Sequence, residues 1–110
     1  MNVATISSFL TASGYRLIYA KSGQEAVELT QTQAPDLILM DIQMPGMDGL
    51  QAMQLIRSDA RFATLPIIAL TALAMPGDRE RCLEAGANQY LPKPVKMKEL
   101  KALIQQLLAF

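Results

Sequence analysis

Short apolar runs of about four to six residues alternate along the chain with longer stretches whose apolar positions recur every three or four residues. The first pattern reads as strand and the second as helix. Val3, Ile6 and Leu10 keep helical spacing up to Ser13-Gly14, which predicts a helix over residues 2–13 with Gly14 as a left-handed C-cap. Residues 15–20 are rich in strand formers and bounded by Gly14 and by Ser22-Gly23, so they read as a strand. Ser22 and Glu25 then form a Ser-x-x-Glu capping box, opening a helix that carries Ala26, Val27 and Leu29 and stops before Pro35. Residues 37–40 are continuously apolar, as in a strand covered on both faces, and the run ends on Asp41.

The same alternation continues to the end. After the turn segment Pro45-Gly46-Met47-Asp48-Gly49, Asp48 is a natural N-cap with Gln51 at the third helical position. Leu50, Met53 and Ile56 give that helix its buried stripe. Residues 66–70 form a third buried strand that stops on Thr71, and a short helix over about 78–85 ends at Gly86. Tyr90-Leu91 is a minimal fourth strand, interrupted by Pro92-Lys93-Pro94. The last helix has the clearest period, with Leu100, Leu103, Ile104, Leu107 and Leu108 on one stripe. Strands alternating with helices in this way predict parallel βαβ units, hence an α/β fold with helices on both faces of the sheet. Sites in such folds form beyond the carboxyl ends of the strands. Asp41, Thr71 and Lys93 all fall there.

Composition narrows the function. The chain has 110 residues, the size of one domain, and at 51% apolar and 18% charged it is not disordered. Ten basic and ten acidic residues leave no positive excess to drive binding to nucleic acid. Histidine is absent, which removes Ser-His-Asp and Cys-His catalysis and histidine metal clusters. A single cysteine, Cys82, excludes an internal disulfide and suits a reducing compartment. No apolar run approaches the roughly 20 residues of a membrane span, so a soluble cytoplasmic domain is expected. No phosphate-binding Gly-x-x-x-x-Gly-Lys loop or Gly-x-Ser-x-Gly elbow marks a nucleotide enzyme or hydrolase.

A carboxylate, a hydroxyl and an ammonium converging on one spot suit phosphoryl transfer. The carboxylate can be the nucleophile toward phosphorus, while the other two stabilise charge on the transferred group. Taken singly, each has a plainer reading: Asp41 as a turn residue, Thr71 as a strand-end hydroxyl, Lys93 as a solvated charge. Tyr90 likewise reads as an amphipathic residue half covering the surface.

The stretch Asp41-Ile42-Gln43-Met44-Pro45-Gly46-Met47-Asp48-Gly49 closely resembles the phosphorylation loop of response-regulator receiver domains of the chemotaxis-regulator type. Ala69-Leu70-Thr71-Ala72 resembles that family's switch-hydroxyl strand, and Tyr90-Leu91-Pro92-Lys93-Pro94 its lysine–proline loop. The likeness runs from Gly14 to the end. It implies a flavodoxin-like three-layer α/β/α sandwich occupying residues 1–110 as a single receiver domain. It also implies Asp41 as phosphoacceptor, charged by a phosphohistidine on a partner histidine kinase or phosphotransfer protein. Thr71 and Lys93 would bind the phosphoryl group, and the Lys93–Pro94 bond would be cis. Asp41 and the Gln43 backbone carbonyl would ligate Mg²⁺. Thr71 and Tyr90 would form the switch, read out by a downstream protein on the face built from the helix at 78–85, the last strand and the last helix. The module would not be an enzyme, beyond self-phosphorylation and autodephosphorylation, and a piece of a hybrid histidine kinase is one arrangement that suits it.

The chain departs from the family at its start. Receiver domains open with a central strand ending in an acidic pair that holds Mg²⁺, whereas residues 1–24 here contain no Asp or Glu. Mg²⁺ binding is therefore expected to be weak or absent, and a phosphorylation-incompetent docking module is the alternative reading. The family strand order 2-1-3-4-5, without its first strand, would leave a gap of roughly 10 Å between the strands at 15–20 and 37–41. Three expectations follow: a native chain that begins upstream of Met1, a sheet that closes up by direct pairing, or a strand supplied from elsewhere.

Overall fold

The computed structural model describes residues 14–20, 22–41, 49–71, 77–92 and 95–108. The helix expected over 2–13 and the Asp48 cap lie outside them. Four strands, β1 (Leu17–Ala20), β2 (Leu37–Asp41), β3 (Ile67–Thr71) and β4 (Gln89–Pro92), alternate with helices α1 (Gly23–Gln33), α2 (Gly49–Ser58), α3 (Asp78–Ala85) and α4 (Met97–Leu108). A 3-10 turn, Ala60–Phe62, follows α2. The boundaries match the sequence pattern closely, with two corrections. The first strand begins at Leu17, because the preceding residues are engaged at the sheet's end: the Arg16 N–H donates to Asp36 Oδ2 at 2.8 Å. The last strand runs on to Pro92, which lies at the end of an edge strand, where a missing N–H donor is tolerated.

All described strand pairs are parallel, in the order β1-β2-β3-β4. β1 therefore sits directly against β2, with Leu17 opposite Leu37 and Ala20 opposite Met40. The gap inferred from the family strand order is not open. Direct pairing satisfies backbone groups that a vacant strand position would leave dry, each at a cost of about 1–3 kcal/mol.

The apolar runs of β2 and β3 are buried on both faces, as their continuous hydrophobicity predicts. Ile38, Met40, Ile67 and Ala69 join Ala26 of α1, Met53 and Ile56 of α2, and Cys82 of α3 in one core. Leu37, Leu39, Ile68 and Leu70 point to the other face and pack with Leu91, Leu100 and Ile104. Layering is thus α1, α2 and α3 below the sheet and α4 above. α1 begins as read: Ser22 Oγ accepts the Glu25 N–H at 3.1 Å. It ends at Ala34 in the left-handed region, φ 45°, just before Pro35. Thr30, buried in α1, donates its hydroxyl to the Ala26 carbonyl at 2.7 Å.

Candidate functional site

Register decides which residues meet at the carboxyl edge. Asp41, the last residue of β2, is the Cα partner of Leu70, and Thr71 ends β3 as the partner of Pro92. Adjacent strand spacing and rise place the Asp41 and Thr71 Cα atoms roughly 6 Å apart. Lys93 is the next residue in the chain after Pro92. Three neighbouring strands therefore end, in step, just where the chemically interesting side chains begin.

The environments differ. Asp41 is half-buried, while Thr71 is only 3% exposed. A carboxylate reached by solvent at the rim of an apolar sheet can meet a phosphodonor, and a buried hydroxyl beside it is held in place by packing. Tyr90 lies opposite Ala69 in β4, half-buried against the core formed by the lower helices. Lys93, Pro94 and Gln43 lie outside the described residues, so the lysine contact, the cis bond and the carbonyl ligand are expectations carried forward.

Mg²⁺ wants several oxygen ligands, carboxylates foremost. Among the described residues no group of three or more His, Cys, Asp and Glu is placed to hold a metal. Asp41 supplies one hard oxygen donor, and one such donor does not by itself fit a tight Mg²⁺ site.

The opposite, amino edge is held by side chains that no sequence signal singles out. Arg57, at the end of α2, donates through Nε and Nη2 to the Gly86 carbonyl at 3.0 and 2.7 Å. It also donates to the Phe62 carbonyl at 2.9 Å and to Asn88 Oδ1 at 2.8 Å. Asn88 Oδ1 accepts the Ile67 N–H as well, at 2.9 Å. Partial burial pulls the Arg57 guanidinium below its ordinary pKa. These bonds are structural.

A sequence model of the family described as response regulator receiver domain matches residues 1–105. This chain belongs to the receiver domain family. The receiver is 40% identical to the polar-differentiation response regulator DivK of Brucella ovis over 97 residues, 88% of this chain and 79% of DivK. Among solved structures, it resembles the receiver domain of the sensor histidine kinase PA1611 from Pseudomonas aeruginosa, with TM-score 0.79, 42% identity, and 99% and 89% of the two chains covered. That structure has a magnesium ion coordinated in the active-site cleft. The signal receiver domain of a histidine kinase from Syntrophus aciditrophicus gives TM-score 0.78 at 34% identity, covering 97% and 81%. Receiver domains are modules of two-component signalling that interact with histidine kinases and downstream effectors, and they bind Mg²⁺ in their active site. No helix among the described residues of this receiver is long and apolar enough to cross a membrane.

Proposed function

We propose that this receiver, a single domain over its whole length, accepts a phosphoryl group on Asp41 from a phosphohistidine of a partner kinase or phosphotransfer protein. The observation that supports this reading is the register, which ends β2 on Asp41 and β3 on Thr71, one residue beyond Asp41's partner Leu70, with Lys93 next in the chain after the Pro92 partner of Thr71. An Asp41 carboxylate oxygen attacks phosphorus, forming the P–O bond as the P–N bond to the imidazole breaks. The imidazole nitrogen keeps that electron pair. The Thr71 hydroxyl donates to a phosphoryl oxygen and the Lys93 ammonium offsets its charge. Pulling Thr71 toward the phosphoryl group frees room that Tyr90 fills, which alters the α3–β4–α4 face read by a downstream protein.

With few carboxylates to hold the metal, phosphate uptake needs more Mg²⁺ than in a receiver with the full acidic pair. The folded chain is incubated with acetyl phosphate at graded Mg²⁺ and its intact mass measured beside Asp41→Asn. One phosphate on the wild type and none on the variant is the expected result. A folded wild type that takes no label at any Mg²⁺ level overturns the proposal and leaves the docking module. Label that persists on Asp41→Asn removes Asp41 from its role.

A further inference from the structure

α3 is the least self-sufficient helix of the described fold. It has eight residues, well short of the roughly 12–15 at which a helix begins to persist by itself. Arg79, Glu80, Arg81 and Glu84 are exposed, Cys82 and Ala85 are buried, and Leu83 is half-buried against the same core. Two small buried side chains and one half-buried leucine give only modest hydrophobic anchoring. Its N-terminal cap, Gly77 at φ 90°, brings no side-chain hydrogen bond. The C-terminal end is the opposite. There Gly86 donates back to Leu83, Ala87 donates to the Cys82 carbonyl, and Arg57 places two N–H bonds on the Gly86 carbonyl. The same guanidinium reaches Phe62 and Asn88, so one side chain joins α2, the 3-10 turn and the α3–β4 turn.

We propose that Arg57 is the clasp that keeps α3 docked, and that α3 opens as a unit smaller than the whole domain, uncovering the Cys82 thiol. Cys82 faces the core at 3% exposure, so it reacts only when α3 lifts. It is the chain's one cysteine, and its labelling reports this opening without interference. Charge-assisted bonds to partly buried carbonyls are strong, and deleting their donor strands the acceptors. Loss of the clasp therefore favours the open state over the closed.

The test is the rate at which an aromatic disulfide reagent labels Cys82 in the full chain, read against urea beside far-UV circular dichroism. The wild type is expected to label slowly, with a shallow urea dependence below the unfolding transition, the signature of a local opening. Arg57→Ala should label roughly tenfold to a hundredfold faster in the absence of urea. Arg57→Lys, whose single ammonium cannot span the same acceptors, should fall between, and it carries the test where the alanine variant does not fold. Unchanged labelling in both variants overturns the proposal. So does labelling that tracks the dichroism signal at every urea concentration. Failure of both variants to fold also overturns it, since Arg57 would then hold the whole domain and not α3 alone.

Discussion

The two ends of the sheet are built on different terms. At the amino end, side chains are used to satisfy the backbone: Asp36 accepts the Arg16 N–H, Asn88 accepts the Ile67 N–H, and Arg57 donates to the Gly86 and Phe62 carbonyls. At the carboxyl end, β2 and β3 stop on a carboxylate and a hydroxyl, with a lysine to follow. Loops at the first end close tightly because their polar groups are matched within a few ångströms. A binding edge needs groups whose bonding capacity can turn toward a ligand. One end of the same parallel sheet is thus tied down by side-chain hydrogen bonds, and the proposed function assigns the chemistry to the other.

The sharpest break between the two ends comes from changing one residue at each. Asp41→Asn should abolish phosphate uptake in the acetyl phosphate assay while moving the unfolding free energy by no more than about 1 kcal/mol. Gly86→Ala should do the reverse. Gly86 sits at φ +126°, and a Cβ there would lie 2.8 Å from Arg57 Cγ, so the substitution strains the backbone and displaces the clasp together. Urea unfolding should show a loss of about 1–3 kcal/mol, with labelling of Asp41 retained once the chain is folded.

Smaller effects refine the contrast. Ser22 lies at the carboxyl end but has a structural job, since its Oγ caps α1. Ser22→Ala should cost about 1 kcal/mol in thermal or urea unfolding and leave phosphate uptake unaffected. The weakest expected effect is at Asp59, the cap of the 3-10 turn, paired with Arg61 at 2.8 Å. The hydrogen bonds from the Arg61 side chain hold its carboxyl below the usual carboxylate range. A depressed folded-state pKa gives stability that is present above the unfolded value and disappears as pH falls through the folded one. The thermal midpoint of wild type should therefore converge on that of Asp59→Asn below about pH 4. A gap that persists unchanged at lower pH would show that the pair contributes nothing pH-dependent.

Much of this architecture was legible from residue order because it rests on local rules. The 37–40 and 66–70 runs are apolar without interruption, so only burial on both faces suits them. The Ser22–Glu25 spacing announces a helix start, and Gly86 marks the end of α3. Asp41 and Thr71 each have a structural reading alone and stand out only together, as polar residues that end successive buried runs with Lys93 after the next. Arg57 did not stand out: an arginine closing an amphipathic helix reads as a solvated charge. Its partners Gly86 and Asn88 are 29 and 31 residues away. The pairing of β1 with β2 was equally hidden. It was one of three outcomes compatible with the family strand order, and local pattern favours none of them.

The chain's order of apolar runs, caps and glycines determined by itself that this protein is an alternating α/β domain with an aspartate and a threonine at strand ends, since periodicity, capping and turn chemistry act over a few residues. Tertiary structure alone decided that β1 closes on β2 and that Arg57 ties the end of α2 to the α3–β4 turn. It also set the register that ends β2 on Asp41 and β3 on Thr71, one residue beyond Asp41's partner Leu70. Each of those depends on hydrogen bonds between residues far apart in sequence, where the gain appears only once the partners are brought together.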